Sequence, residues 1–155
     1  MSRAFIREQD GEGGKELLPD RPISPHPNLV TPEGLAQMDA EVARLRADIA
    51  RAEADDDDHA QALAQREFRY WSARRATAEL VHAIDDRSRA RFGHQVTVAM
   101  ADGERRVFRI VGEDEADPAK GFIPYVAPLG QALIGKFVGD SVEVAHKSAT
   151  VVEIA

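Results

Sequence analysis

The chain has 155 residues, of which 43% are hydrophobic, with no cysteine and a formal charge of -7. Without cysteine there is no disulfide, no thiolate zinc site and no cysteine nucleophile. The negative charge argues against a general duplex-DNA binder, which needs a basic footprint. No apolar stretch is long enough to span a bilayer, and no apolar h-region follows Met1. A cytoplasmic protein without membrane attachment is expected.

Residues 1–30 contain four of the eight prolines (Pro19, Pro22, Pro25, Pro27) and the loose run Asp10-Gly-Glu-Gly-Gly14. Proline removes a backbone donor and restricts the residue before it, so an extended or disordered segment is expected.

At Thr31-Pro-Glu-Gly34 the pattern changes. Thr31 suits an N-cap, Pro32 the first helical position, and Glu33 the positive end of the helix dipole. Leu35, Met38, Val42, Leu45, Ile49 and Ala52 then recur at alternating spacings of three and four. That is an a/d stripe, and it needs a partner helix. Residues 59–87 lack Gly and Pro and carry the stripe Leu63, Tyr70, Ala73, Thr77, Leu80 and Ile84. Asp55-Asp56-Asp57-Asp58 lies between the stripes, and aspartate favours caps and turns over helix interiors. The expectation is an antiparallel coiled-coil hairpin over residues 31–90 with its tip near 55–59.

Residues 91–155 switch to short Val-, Ile- and Phe-rich runs. Strands are expected at Gln95–Met100, Arg105–Val111, Ser141–His146 and Ala149–Ile154. A further strand is expected at Ile123–Ala127 and a short helix at Pro128–Ile134, with turns at Gly103 and Lys147-Ser148. The fold class is therefore α+β: a helical hairpin followed by a small twisted antiparallel sheet with one helix.

Enzymatic chemistry has no visible constellation. Gly130-Gln-Ala-Leu-Ile-Gly135-Lys136 matches most of a phosphate loop. Phe137 replaces the Mg²⁺-binding hydroxyl, and a helix closed by Gly135 is the better account. His26, His59, His82, His94 and His146 show no metal-ligand spacing. The aspartate run is more informative. In an average protein it is a solvated loop, but at a hairpin apex it presents four carboxylates to a hard cation or a basic surface. Arg66, Arg69, Arg74 and Arg75 are interleaved with Phe68, Tyr70 and Trp71. They suit a coiled-coil flank whose stems cover aromatics and a stripe facing nucleic acid about equally.

Three segments then follow in order: Arg91-Phe-Gly93, Ile110-Val-Gly-Glu-Asp-Glu-Ala-Asp117, and Ala127-Pro-Leu-Gly-Gln-Ala-Leu-Ile-Gly-Lys136 with Gly139-Asp140. This closely resembles the C-terminal domain of the Gre transcript-cleavage factors, and Thr31-Pro-Glu-Gly34 resembles the start of their first helix. The resemblance implies an FKBP-like C-terminal domain docking at the rim of the secondary channel of bacterial RNA polymerase. Glu113, Asp114, Glu115, Asp117, Pro128, Leu129 and Gly130 would be the docking residues. It also implies a coiled coil reaching toward the catalytic Mg²⁺; if the basic stripe faces nucleic acid, Arg69, Arg74 and Arg75 would be its nucleic-acid-facing residues, with indirect contact with nascent RNA.

The tip departs from the family. Asp55–Asp58 is followed by His59-Ala-Gln-Ala rather than a Gly-Asp-x-x-Glu-Asn context, and with Glu67-Phe68 set against the family's acidic-aromatic pair the usual acidic positions become Gln61 and Ala64. Ala127 replaces the family's serine before Pro128, a milder departure expected to weaken one docking hydrogen bond. The expectation is a monomeric elongation regulator, not itself an enzyme, with no cofactor of its own. Its effector carboxylates would be Asp55, Asp56, Asp57 and Asp58, sharing the polymerase Mg²⁺. The alternatives are a Gre-like inhibitor without cleavage activity and an FKBP-like prolyl isomerase or chaperone.

Overall fold

The computed structural model describes residues 17–155, so the first half of the expected extended segment lies outside the described residues. Residues 17–28 carry no helix or strand and lead into β1 (Leu29–Val30). The helix α1 (Pro32–Ala54) follows, and α2 (Asp58–Thr77) folds back against it. The start of α1 follows from local chemistry. Thr31 has extended backbone and its hydroxyl accepts from the Gly34 amide at 3.1 Å, with Pro32 in the first turn. At ~1.5 Å per residue the 23 residues of α1 make an arm about 34 Å long.

Met38, Leu45 and Ala52 are buried at seven-residue spacing along α1. The facing side of α2 differs from the expected stripe: Gln61, Ala62, Ala64 and Arg74 are buried, while Leu63 is 38% exposed. Small residues fill the buried positions near the tip, and Leu63 instead lines an open groove with Leu45 and Ala52 of α1.

The second helix is also shorter than its expected reach to Arg87. It stops at Thr77, and Glu79–Leu80 forms β2, paired in parallel with β1. No local breaker marks this end. Asn28 Nδ2 donates to the Arg74 carbonyl at 2.7 Å, and the Glu79 amide donates to the Asn28 carbonyl at 2.8 Å. A distant segment thus takes over the backbone groups that another helical turn would have used. Leu80 and Ile84, placed in the expected stripe, are each 44% exposed.

The remaining strands are β3 (Gln95–Met100), β4 (Arg105–Val111), β5 (Phe122–Pro124), β6 (Ser141–Val144) and β7 (Lys147–Ile154). They form one five-stranded sheet in the order β5-β4-β3-β7-β6. It is antiparallel except at the β4–β5 edge, which is parallel. The short helix α3 (Pro128–Leu133) packs on it. Val96, Val98, Ile110, Leu133 and Val151 are fully buried in its core.

The β6–β7 turn sits two residues earlier than expected. Ala145 and His146 both have positive φ, at 50° and 65°, the pattern of a tight two-residue hairpin turn. Gly135, in the apparent phosphate loop, closes α3 with φ +84° and donates to the Ala90 carbonyl at 2.8 Å. That segment anchors the linker. His94 is likewise structural, fully buried with Nδ1 accepting from the Arg91 amide at 3.1 Å.

Candidate functional site

Two runs of acidic residues lie at opposite ends of the hairpin, Asp55–Asp58 at its tip and Glu113–Glu115 at its base. At the tip, Asp55 ends α1 and Asp56 takes φ +50°, a left-handed conformation that aspartate tolerates. Asp57 caps α2 by accepting from the Ala60 amide at 3.0 Å, and Asp58 is the first helical residue. All four are exposed. Among the described residues no group of three or more His, Cys, Asp or Glu side chains could hold a metal. The tip therefore presents charge rather than forming a cation cage of its own. Gln61 and Ala64, just beyond the tip on α2, are buried.

The second cluster, Glu113–Glu115, forms a one-turn 3₁₀ helix after β4. The surface docking role expected of it does not fit its packing, because its side chains face the hairpin. Asp114, whose side chain is 8% exposed, accepts from Arg74 Nε at 2.6 Å and from the Tyr70 hydroxyl. Glu113 accepts from the Ser24 hydroxyl at 2.9 Å and lies 3.7 Å from Arg74. Glu115 accepts from the Thr31 amide and the Gly112 amide, each at 3.0 Å, and from the Thr31 hydroxyl.

Two glycines make that approach possible. A Cβ on Gly34 would lie 2.1 Å from Cδ of Glu115, and one on Gly112 would lie 2.2 Å from the Leu29 carbonyl oxygen. Thr31-Pro-Glu-Gly34 and Gly112-Glu-Asp-Glu115, two separate signatures in the sequence, are the two halves of one joint. An exposed contact flanks it, Arg109 to Glu33 at 3.2 Å. The helix start's own backbone amide, then Arg109, holds Glu33 below the usual carboxylate range.

The basic stripe is redistributed by the same joint. Arg74, expected to face nucleic acid, is 2% exposed; its Nη2 donates to Asn28 Oδ1 at 2.8 Å. A buried guanidinium needs such saturation, and this one cannot reach a nucleic acid. Arg69 and Arg75 remain partly exposed, paired with Asp20 and Asp39. Burial, then the hydrogen bond to Asp114, pushes the Tyr70 hydroxyl up to about 12.

Of the other expected docking residues, Asp117 is half-buried, Pro128 exposed and Leu129 half-buried. Gly130 is buried, with the Pro124 carbonyl 2.3 Å from where its Cβ would be. Pro128 and Leu129 line a shallow groove of about 370 Å³ with Ala132, Glu143, Ala145 and His146. Two of the sheet domain's aromatics are engaged internally. Phe92 meets Tyr125 edge to face at 5.7 Å, and the Tyr125 hydroxyl donates to the Pro27 carbonyl. Among the described residues no helix is long and apolar enough to cross a membrane.

An acidic-tipped helical arm, locked at its base to a small curled sheet, defines a two-part factor that projects its tip away from its globular end. Known proteins resemble this chain in sequence. Residues 85–155 match the family described as transcription elongation factor GreA/GreB, C-terminal. The transcription elongation factor GreA of Rhodospirillum rubrum is 36% identical over 135 residues, covering 74% of this chain and 86% of that protein. GreA of Desulfovibrio desulfuricans is 31% identical over 135 residues, covering 74% and 83%. The solved GreA factor homolog 1 of Thermus thermophilus is 19% identical with a TM-score of 0.42, covering 84% of this chain and 99% of that one. The chain belongs to the GreA/GreB family of transcription elongation factors.

Proposed function

We propose that this protein binds bacterial RNA polymerase at the rim of the secondary channel and modulates elongation through Asp55–Asp58, without efficient transcript cleavage of its own. The observation that carries this reading is the tip itself. Four exposed carboxylates sit at the end of an arm whose base is fixed to the globular domain. Their mutual repulsion disfavours an unpartnered tip, so a basic channel wall or the polymerase Mg²⁺ would be bound favourably. The four residues form no metal site alone, so any cation there would be shared with the polymerase.

The lean away from cleavage rests on Gln61 and Ala64. Neither carries a carboxylate, and both are buried against α1. With Glu113–Glu115 engaged internally, the docking face is assigned to the groove at Pro128 and Leu129, with Asp117 a neighbouring surface candidate. Arg69 and Arg75 remain candidates for approach to RNA in the complex.

The test is a transcript-cleavage and nucleotide-addition assay on a backtracked complex with cognate polymerase. The protein is expected to compete with a cleavage-competent Gre factor and to alter elongation. Converting Asp55–Asp58 to Asn should abolish the effect and leave competition intact. Equal activity of wild type and the four-Asn variant in both assays would sink the tip assignment.

A further inference from the structure

We infer that residues 17–28 act as a brace, strapping the hairpin to the sheet domain and fixing the direction in which the tip points. This segment has no regular structure of its own, yet it is tied at both ends of the joint. On α2, Arg21 pairs with Glu67 at 2.6 Å and lies 3.7 Å above the Tyr70 ring. Asp20 pairs with Arg69, whose Nη2 also donates to the Leu18 carbonyl at 2.9 Å. On the sheet-domain side, Ser24 donates to Glu113 at 2.9 Å and Pro27 accepts from Tyr125. Asn28 then enters the buried joint beside Arg74.

The residue types suit the task. Pro19, Pro22, Pro25 and Pro27 pre-set an extended backbone, so ordering the segment costs less chain entropy than ordering a flexible strand. Each exposed ion pair contributes only about 0–1 kcal/mol alone. Their effect is joint, because the same short chain grips two bodies connected by the largely exposed linker 81–91. A cation over Tyr70 and a hydroxyl on Glu113 place the strap against the two residues that flank the Arg74–Asp114 pair. Its grip and the closed joint are therefore coupled.

The consequence for the polymerase rests on the function proposed above; the brace itself can be tested on the free protein. The chain lacks cysteine, so spin labels at Glu53→Cys, near the tip, and Lys147→Cys, on the sheet domain, report one distance without background. Wild type should give a single narrow distance distribution. The triple variant Asp20→Ala, Arg21→Ala, Ser24→Ala should lose it and give a broad one, with helicity retained in circular dichroism. As a second probe, Arg21→Glu should broaden the distribution, and adding Glu67→Arg should narrow it again. An unchanged narrow distribution in the triple variant, or no recovery in the charge swap, overturns the brace. A broadened distribution in a protein with no effect on polymerase would leave the brace standing and remove the proposed function instead.

Discussion

The two acidic clusters contain the same chemistry and meet opposite fates. Asp55–Asp58 are exposed, and Asp57 makes a local capping bond with the Ala60 amide. Glu113–Glu115 are drawn into contact with Arg74, Tyr70, Thr31 and Ser24. Neighbours make the difference. The 3₁₀ turn meets a guanidinium, three hydroxyls and the backbone amides of Thr31 and Gly112, whereas the tip is exposed. A carboxylate run is thus structural where donors converge on it and available to a partner where none do.

The comparison breaks most severely at Arg74. Arg74→Ala leaves Asp114 and Asn28 facing an emptied, buried space, and should cost roughly 3–5 kcal/mol in urea unfolding. Replacing both partners, Arg74→Met with Asp114→Leu, should recover part of the loss, since the buried Asp114 charge goes with its partner and only Glu113 still loses a neighbouring cation. If Arg74→Ala unfolds at the wild-type midpoint, the joint is not what holds the arm.

Next comes Gly34. An alanine inside α1 should by itself stabilise by about 0.5–1 kcal/mol relative to glycine. Here its Cβ would force the Glu115 carboxylate off the Thr31 and Gly112 amides, leaving donors unsatisfied at about 1–3 kcal/mol. The second effect should win, so Gly34→Ala destabilises. Pairing it with Glu115→Ala, which removes the clashing side chain, should return part of the loss. Thermal unfolding of the two variants decides the sign.

Much of this was legible in the sequence because the signals are local. The Thr31 cap, the Met38–Leu45–Ala52 spacing and the β3, β4 and β7 strands each follow from residues close to one another. What was not legible is tertiary. The end of α2 is imposed by Asn28, some 46 residues away in sequence from Arg74, and no breaker marks it. Arg74 reads in the sequence like Arg69 and Arg75, and only the arrival of Asp114 separates a buried anchor from two surface cations. The same holds for Glu113–Glu115, where a family signature could be located but not given an orientation. The nearest available hint was that both motifs of the joint carry a glycine, a sign that something approaches closely.

A smaller effect sharpens the joint's electrostatics. Tyr70 and Tyr125 are the chain's two tyrosines, and both are held above the ordinary tyrosine range. Desolvation is the first cause in each; Tyr70 adds its bond to Asp114, while Tyr125 lies near Glu113. A spectrophotometric titration should therefore find Tyr70 ionising near 12 rather than at the reference value of about 10. In the linkage, the folded state keeps a proton that the unfolded state has released. This contribution to stability is complete below about pH 10 and is lost as pH rises toward 12. Asp114→Asn should bring the Tyr70 titration down while leaving that of Tyr125 nearer its starting point.

The smallest expected effect on folding belongs to the tip, and its smallness is the informative part. Asn is as good an N-cap as Asp, so Asp57→Asn keeps the bond to the Ala60 amide. The other three side chains are exposed, and removing their mutual repulsion offsets what the helix start loses at Asp58. The four-Asn variant should consequently unfold within about 0.5 kcal/mol of wild type. Against that near-silence, a complete loss of effect on elongation in the same variant would separate presentation of charge from maintenance of the fold. A stability loss as large as that of Arg74→Ala would instead make the tip a second joint, and the contrast between the two clusters would fall.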